Sequence, residues 1–386
     1  MKKINVLHII GNLNVGGAEK SLLLLLKNID RTRFNPIVVT MYSDGVNDFF
    51  YRDFQQLDIQ LYHLHLKSWR DVKTFLALRK IIRRHCINIA HSHYGSLEFF
   101  GTLFARLAGV RHCVYTKHNL RINTDLSYRF QRFFLNHILA ERILSISQTV
   151  SRHLVNREFA PMRKIELVYN PIEIQNPKID EERLKAIRKQ FNVPENKFII
   201  GNTSRLAEFK GFDIFYATLS NLISADFPIH GLVLSDEKTL AGHISFQHGF
   251  NIESHITILP FQEDMNLVYA CLDCFLFTSK LEEGFGMALV EAMAASVATV
   301  GLNVGVIPEI IKDGQTGLLP YPPKWMPAFT GSVAEAAQSI AESIKKIIRN
   351  PKLKIRLVSN AAAFVQQFDA RNFTRRIEKV YKNINR

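Results

Sequence analysis

What most constrains the fold is an alternation that runs almost the whole length of the chain, in which short apolar runs are separated by longer amphipathic stretches. The first run, residues 4–10, is stopped by Gly11 and followed by the loop Asn12-Leu13-Asn14-Val15-Gly16-Gly17. A helix then opens at Ala18-Glu19-Lys20-Ser21. Further runs at 36–40, 87–91, 113–116 and 142–147 alternate with helical patterns such as 71–85 and 127–139. Strands that alternate with helices predict a parallel sheet covered on both faces.

The pattern breaks at Asn170-Pro171-Ile172. After a polar segment and a charged helix at 181–190, a second series begins with strands at 199–202, 230–234, 255–259, 274–277 and 298–300. A chain of 386 residues also exceeds the ~250–300 at which a single core stops growing. The expected organisation is a first domain over 1–172, a second over 173–371, and a final segment, 372–386, whose helix packs back on the first domain. Two doubly wound α/β domains facing each other bind ligands at the carboxyl ends of their strands, in the cleft between them.

The longest unbroken apolar run, Leu22 to Leu26, is far short of the ~20 residues of a membrane span, and the first residues lack the pattern of a signal peptide. Four cysteines in 386 residues give no pattern of paired spacings. Both observations predict a cytoplasmic chain.

Charge is unevenly placed. Residues 1–172 carry 25 Lys and Arg against 12 Asp and Glu, or +13, and the remainder carries 24 against 23, or +1. A one-sided basic half predicts an anionic partner, although a basic surface can also serve solubility alone. Nucleic acid is excluded by the lack of any recognised motif and by Trp69 being the only tryptophan in that half. An anionic membrane surface, the inner face of the cytoplasmic membrane, suits two clusters. One is Arg79-Lys80-Ile81-Ile82-Arg83-Arg84, and the other sets Arg121, Arg129, Arg132 and Arg142 along or beside Phe130, Phe133, Phe134 and Leu135. The plain alternative for the second is an ordinary helix that buries its phenylalanines and wets its arginines.

Three segments carry candidate chemistry. Gly16 and Gly17 end a strand-to-helix loop of the kind in which backbone amides approach a phosphate, though such a turn also forms without a ligand. Arg205 and Lys210, just beyond the strand at 199–202, offer a guanidinium fork and a point charge suited to a diphosphate. Glu283-Gly284-Phe285-Gly286-Met287-Ala288-Leu289-Val290-Glu291 joins a glycine-flanked loop to a helix start, with amides for an anion and two carboxylates able to hold diols. A first-turn acid serving its own helix dipole explains one glutamate but not the pair.

In order along the chain, Gly16-Gly17-Ala18-Glu19, Tyr169-Asn170-Pro171-Ile172, Ser204-Arg205-Leu206 with Lys210-Gly211-x-Asp213, Asp273 with Ser279, Glu283-x7-Glu291, and Gly305-Val306-Ile307-Pro308-Glu309 with Asp313-Gly314-Gln315-Thr316-Gly317-Leu318-Leu319 resemble glycosyltransferase family 4. The resemblance covers nearly the whole chain. It implies the GT-B architecture of two Rossmann-like domains. It also implies transfer from a nucleotide sugar, a UDP-sugar favoured, with retention of configuration, no essential metal and no other cofactor. Arg205 and Lys210 would neutralise the donor diphosphate, Glu283 would hold the donor sugar, and Glu291 the ribose hydroxyls. The amides of Phe285, Gly286, Met287 and Ala288 would meet sugar and phosphates, with Gly16 and Gly17 bordering the phosphates. His118, in Tyr115-Thr116-Lys117-His118-Asn119, matches a histidine near the reacting centre. The implied acceptor is a glycan or a lipid-linked saccharide in cell-surface polysaccharide synthesis, in lipopolysaccharide or capsule. A sugar epimerase of the same architecture would not require Arg205, Lys210 and both glutamates together. A non-catalytic sugar-binding subunit would have lost at least one of them.

Where the family usually has a glycine-rich turn, the chain has Ser235-Asp236-Glu237-Lys238, and Leu259-Pro260-Phe261 replaces a usual Leu-Gly pair, which leaves the base open. Val304-Gly305 likewise stands for a Gly-Gly pair. Cys271 and Cys274 have metal-ligand spacing but sit in an apolar run without a second pair. His91-Ser92-His93 could bind zinc, yet no third ligand is evident nearby.

Overall fold

The computed structural model describes residues 3–43, 45–120, 125–174, 180–281 and 283–385. The chain forms two compact units, residues 1–173 with 368–386, and residues 174–367.

In the first unit the strands are β1 (Ile4–Ile10), β2 (Phe34–Thr40), β3 (Gln60–His63), β4 (Ile89–His93), β5 (His112–Lys117), β6 (Arg142–Ser145) and β7 (Ile165–Leu167). They pair in parallel in the order β3-β2-β1-β4-β5-β6-β7. The order reverses between β1 and β4, so the loops after these two strands leave the sheet in opposite directions and open a crevice. The β1–β4 register sets His8 beside His91.

One face of this sheet is covered by the Gly17–Asn28 helix, whose Leu22, Leu25 and Leu26 pack in one cluster with Phe373, Ile377 and Tyr381 of the Ala370–Ile384 helix. Each such buried side chain contributes ~1.5–3 kcal/mol, which is why the leucine run belongs to a core. The chain returns from the second unit by a short exchange: Ile172 N donates to Phe368 O at 2.9 Å and Ala370 N to Ile172 O at 3.1 Å. Asp30 N then donates to Glu378 Oε1 at 2.8 Å. The last helix starts at Ala370 rather than 372 because the Asp369 carboxylate accepts from Arg371 N at 2.9 Å and caps it.

The second unit holds β8 (Phe198–Thr203), β9 (Ile229–Ser235), β10 (Ile256–Pro260), β11 (Cys274–Phe277), β12 (Ala298–Val304) and β13 (Leu318–Met326). Their order is β10-β9-β8-β11-β12-β13, again all parallel, with the reversal between β8 and β11.

Three strands escape the sequence pattern, and all lie at sheet edges. β3 and β7 are short and only partly buried, so they lack a continuous apolar run. β13 contains Pro320, Pro322 and Pro323, which an edge tolerates because a missing amide there breaks no central ladder.

The stretch 127–139 becomes the Leu126–Phe134 helix followed by a π-helical turn, Leu135–Leu139. It is inverted relative to an ordinary amphipathic helix. Arg132 is 3% exposed, whereas Phe130 is 68% and Phe133 is 47% exposed. The cause is a buried charge network: Arg132 Nη2 donates to Glu98 Oε2 at 2.7 Å and its Nε to Glu158 Oε2 at 2.8 Å. Lys117 Nζ bridges the same two carboxylates at 3.3 and 2.8 Å. Two cations thus meet two anions, a balance without which burial of any of them would be prohibitive. Arg121 lies outside the described residues. Among the described residues, no helix is long and apolar enough to cross a membrane.

Candidate active site

In the second unit, the loop after β8 carries Arg205 exposed and runs into a single 3₁₀ turn, Glu208–Lys210, before the Phe212–Ser224 helix. Gly211 joins the two at φ +67°, where a Cβ would also overlap the Thr278 carbonyl oxygen. Only glycine fits there. Thr278 Oγ1 in turn donates to Lys210 O at 2.9 Å, fixing the turn against the end of β11.

That arrangement delivers the Lys210 ammonium onto Glu283 Oε1, with which it forms an ion pair. Ser279 Oγ donates to the same oxygen at 2.6 Å. Burial by itself would raise the Glu283 carboxyl. The Lys210 charge, hydrogen bonds from Lys210 and Ser279, and the Arg205 charge outweigh it and hold the carboxyl below the usual carboxylate range. Arg205, Lys210 and Glu283 are therefore one electrostatic cluster, two cations against one carboxylate. Asp213, the last residue of the Lys210-Gly211-x-Asp213 motif, pairs with Lys280 instead.

Gly286 takes φ +86° and caps the Met287–Ala294 helix, accepting from Leu289 N at 3.1 Å. Phe285 is buried in the core, and Met287 and Ala288 are half-buried at the helix start. Glu291 stands one turn further in and accepts from Tyr269 Oη at 2.8 Å. Tyr269 is buried, also engages Thr203 at the carboxyl end of β8, and its hydroxyl stays protonated because burial and the Glu291 charge push its pKa well up. Sequence reasoning passed over Tyr269 as part of an apolar run. Its contact with Glu291 spans 22 residues, so no local pattern signals it.

In the first unit, Gly16 caps the Gly17–Asn28 helix beyond the end of β1, and a Cβ there would overlap the Glu19 carboxylate. Ser21 Oγ donates to Gly17 O at 2.6 Å. His118 follows β5. Both its ring nitrogens are buried and have no partner among the described residues. Burial, then the neighbouring Lys117 charge, pushes its pKa down to about 3, so it is neutral at physiological pH. A buried neutral imidazole with both nitrogens unused is a ready donor and acceptor for a ligand hydroxyl.

The sheet register supplies what the sequence hid about His91 and His93, a third imidazole from His8. Ligating nitrogens of the three lie within 4.8 Å of one another. His91 is already bonded at both nitrogens, to Tyr381 Oη at 2.6 Å and Thr116 Oγ1 at 2.7 Å, and His8 Nδ1 lies 3.1 Å from His93 Nε2. The trio forms a buried polar core that ties β1, β4 and β5 to the final helix, with His8 Nε2 left without a partner among the described residues.

A family model described as Glycosyltransferase Family 4 matches residues 15–176, and one described as Glycosyl transferases group 1 matches residues 184–364. The chain belongs to glycosyltransferase family 4. Its similarity to curated relatives is low but long. It is 21% identical to the capsular polysaccharide biosynthesis glycosyltransferase CapM of Staphylococcus aureus, covering 99% of this chain and 97% of CapM. It is 20% identical to the UDP-Gal:alpha-D-GlcNAc-diphosphoundecaprenol alpha-1,3-galactosyltransferase of Escherichia coli, covering 82% and 84%. Among solved structures it resembles a glycosyltransferase from Rickettsia africae, with TM-score 0.83, 20% identity and coverage of 100% and 99%. It also resembles Anabaena HepE in complex with UDP-glucose, with TM-score 0.82, 20% identity and coverage of 98% and 100%. The two parallel-sheet units are those of the GT-B fold, and this family 4 member is a glycosyltransferase.

Proposed function

We propose that this enzyme is a retaining, metal-independent hexosyltransferase that moves a sugar from a nucleotide sugar, a UDP-sugar favoured, to a glycan or lipid-linked acceptor in the synthesis of a cell-surface polysaccharide. The observation that carries the reading is the convergence of Arg205 and Lys210 on Glu283 at the carboxyl ends of β8 and β11. Two cations against one carboxylate leave a net positive charge for a diphosphate. A donor diphosphate would draw Lys210 and Arg205 to its oxygens and free Glu283 for the hydroxyls of the sugar. As the anomeric carbon–oxygen bond breaks, its electron pair passes to the leaving phosphate oxygen, where the cations stabilise the growing charge. The acceptor hydroxyl attacks from the same face, and its proton goes to that oxygen. Neutral His118 would hydrogen-bond a hydroxyl near this centre, and Glu291, steadied by Tyr269, would take the ribose diol.

The donor and acceptor classes are drawn from relatives. The Escherichia coli relative is named for UDP-Gal and a diphosphoundecaprenol-linked acceptor, HepE was crystallised with UDP-glucose, and CapM is named for capsule synthesis. The basic first half would hold such an enzyme at the cytoplasmic face of an anionic membrane. The test is incubation with a panel of nucleotide sugars and a membrane extract, with mass-spectrometric detection of released nucleotide and product. Turnover with a UDP-sugar that persists in EDTA supports the reading. Release with no donor, or activity lost in EDTA and restored by manganese, would sink it.

A further inference from the structure

The inverted Leu126–Phe134 helix leaves an apolar strip on the outside of the first unit. Phe130 stacks on Phe134, and Phe133 stacks on His137 with ring centroids 4.2 Å apart. His137 Nε2 lies 2.9 Å from Phe159 O, which brings the half-exposed Phe159 ring alongside, with the Arg129 guanidinium 5.3 Å from its centre. The strip cannot turn inward, because the opposite face of the helix is pinned by Arg132 between Glu98 and Glu158.

At the end of the π-helical turn the strip meets a surface hollow of about 540 Å³, lined by the exposed Ile138 and by Arg106, Arg111, Arg142, Arg163 and Lys164, with Glu141 as its one acid. Two of these cations are spent on the helix end. Lys164 Nζ donates to the carbonyls of Asn136, His137 and Ala140 at 2.9, 2.8 and 2.7 Å, and Arg106 Nε donates to Leu139 O at 2.8 Å. The guanidinium groups of Arg111 and Arg163 are exposed and have no acidic partner among the described residues. Burial and the charges of Arg163, Arg106 and Arg142 all act to lower the pKa of Lys164, so the cluster repels itself in the absence of an anion.

We propose that this strip and hollow form one docking surface for an anionic phospholipid bilayer, with Phe130, Phe133 and Ile138 entering the interface and a lipid phosphate seated between Arg111 and Arg163. The bilayer is favoured as occupant by the +13 of the first 172 residues and by the setting of Arg111 and Arg163 in one hollow with the exposed Ile138, which continues the helix that carries the exposed rings. The inference rests on the proposed reading in one respect, that a lipid-linked acceptor requires transfer at a membrane.

The test uses the full chain in vesicle flotation, with equimolar phosphatidylglycerol and phosphatidylcholine against phosphatidylcholine alone. Binding is expected only to the anionic vesicles, and Arg111→Gln with Arg163→Gln should weaken it by about thirtyfold, the loss of two interfacial cations. Phe130→Gln with Phe133→Gln should weaken it comparably, while Arg79→Gln with Arg83→Gln, on the other basic cluster, should change it little. Competition by inorganic phosphate at concentrations that leave ionic strength unchanged should not release the protein, since a free phosphate lacks the apolar half of the site. Equal loss in the Arg79/Arg83 variant, no preference for anionic lipid, release by free phosphate alone, or self-association abolished by the phenylalanine changes without vesicle binding would each overturn the proposal. Nucleotide binding by calorimetry in the same variants separates the two readings. It stays intact if only docking fails, and it is missing from the unaltered protein if the transferase reading fails.

Discussion

Lys210→Ala should separate what the Lys210–Glu283 pair does for the fold from what it does for transfer. Both side chains are 17% exposed, so the substitution strands a mostly buried carboxylate that keeps Ser279 and the more distant Arg205 charge. Deleting one partner of a fully buried pair costs ~3–5 kcal/mol. With partial solvent access and one hydrogen bond retained, roughly 1–3 kcal/mol is expected here. In a unit of this size that lowers the melting temperature by about 2–12 °C. The pH dependence follows in sign. In the unaltered protein the depressed carboxyl contributes stability above its ordinary pKa of 4.5, lost as the pH falls below it. Without Lys210, burial disfavours the charged form of the stranded carboxyl, so the destabilisation is fully felt at neutral pH and is relieved as the pH falls and the carboxyl takes up a proton. Turnover should fall by ~10²–10³ through the missing charge on the leaving group. The double variant Lys210→Ala, Glu283→Gln should recover most of the melting temperature and none of the turnover. Thermal melts and a nucleotide-release assay on the three proteins suffice. Near-normal turnover in Lys210→Ala, or recovery of turnover in the double variant, would refute the role assigned to the pair.

The two glutamates should fail differently: Glu291→Gln and Tyr269→Phe should each weaken free-nucleotide binding by about tenfold in calorimetry, whereas Glu283→Gln should mainly slow transfer. Equal loss of nucleotide affinity in Glu283→Gln and Glu291→Gln would contradict the division. Arg132→Met should destabilise the first unit by roughly 3–5 kcal/mol in urea melts, because Glu98 and Glu158 lose half their compensation; a change under about 1 kcal/mol would mean that solvent reaches the network. Acid should unfold the first unit early. Burial, with mutual repulsion for some of them, holds His8 and His118 down to about 3 and His91 and His93 well below 6.5, so each takes up a proton only on unfolding. Stability is then complete above pH 6.5 and falls as the pH drops toward 3, by up to about 5 kcal/mol per pH unit for four protons. His8→Asn should reduce that slope by about one proton, and a flat profile below pH 6.5 would be inconsistent with neutral buried imidazoles.

The central strands were legible because parallel strands buried on both faces are predominantly apolar, as Ile4–Ile10 is apart from Asn5 and His8, and Ile229–Ser235 apart from His230 and Ser235. Edge strands carry no such demand, which hid Gln60–His63 and the proline-rich Leu318–Met326. The charged cluster was legible as residue types near strand ends, but not as a cluster. That Lys210 lies on Glu283 depends on Gly211 closing against Thr278, a contact between segments far apart in sequence. The same limit explains the Leu126–Phe134 helix. The spacing of Phe130, Phe133 and Phe134 fits a buried face, and only Glu98 and Glu158, each supplied by another helix, reverse it. His8 joined His91 and His93 through strand register, which no local pattern encodes.

The most direct test of the account is the anomeric configuration of the transferred sugar, followed by proton NMR at early turnover with the nucleotide sugar that supports release. The account predicts that the product keeps the donor's anomeric configuration, with no exchange of donor anomers in the absence of acceptor. It also predicts that the initial product is lost together with nucleotide release in Lys210→Ala. An initial product of opposite configuration would contradict the same-face displacement in which the leaving diphosphate, held by Arg205 and Lys210, takes the acceptor's proton.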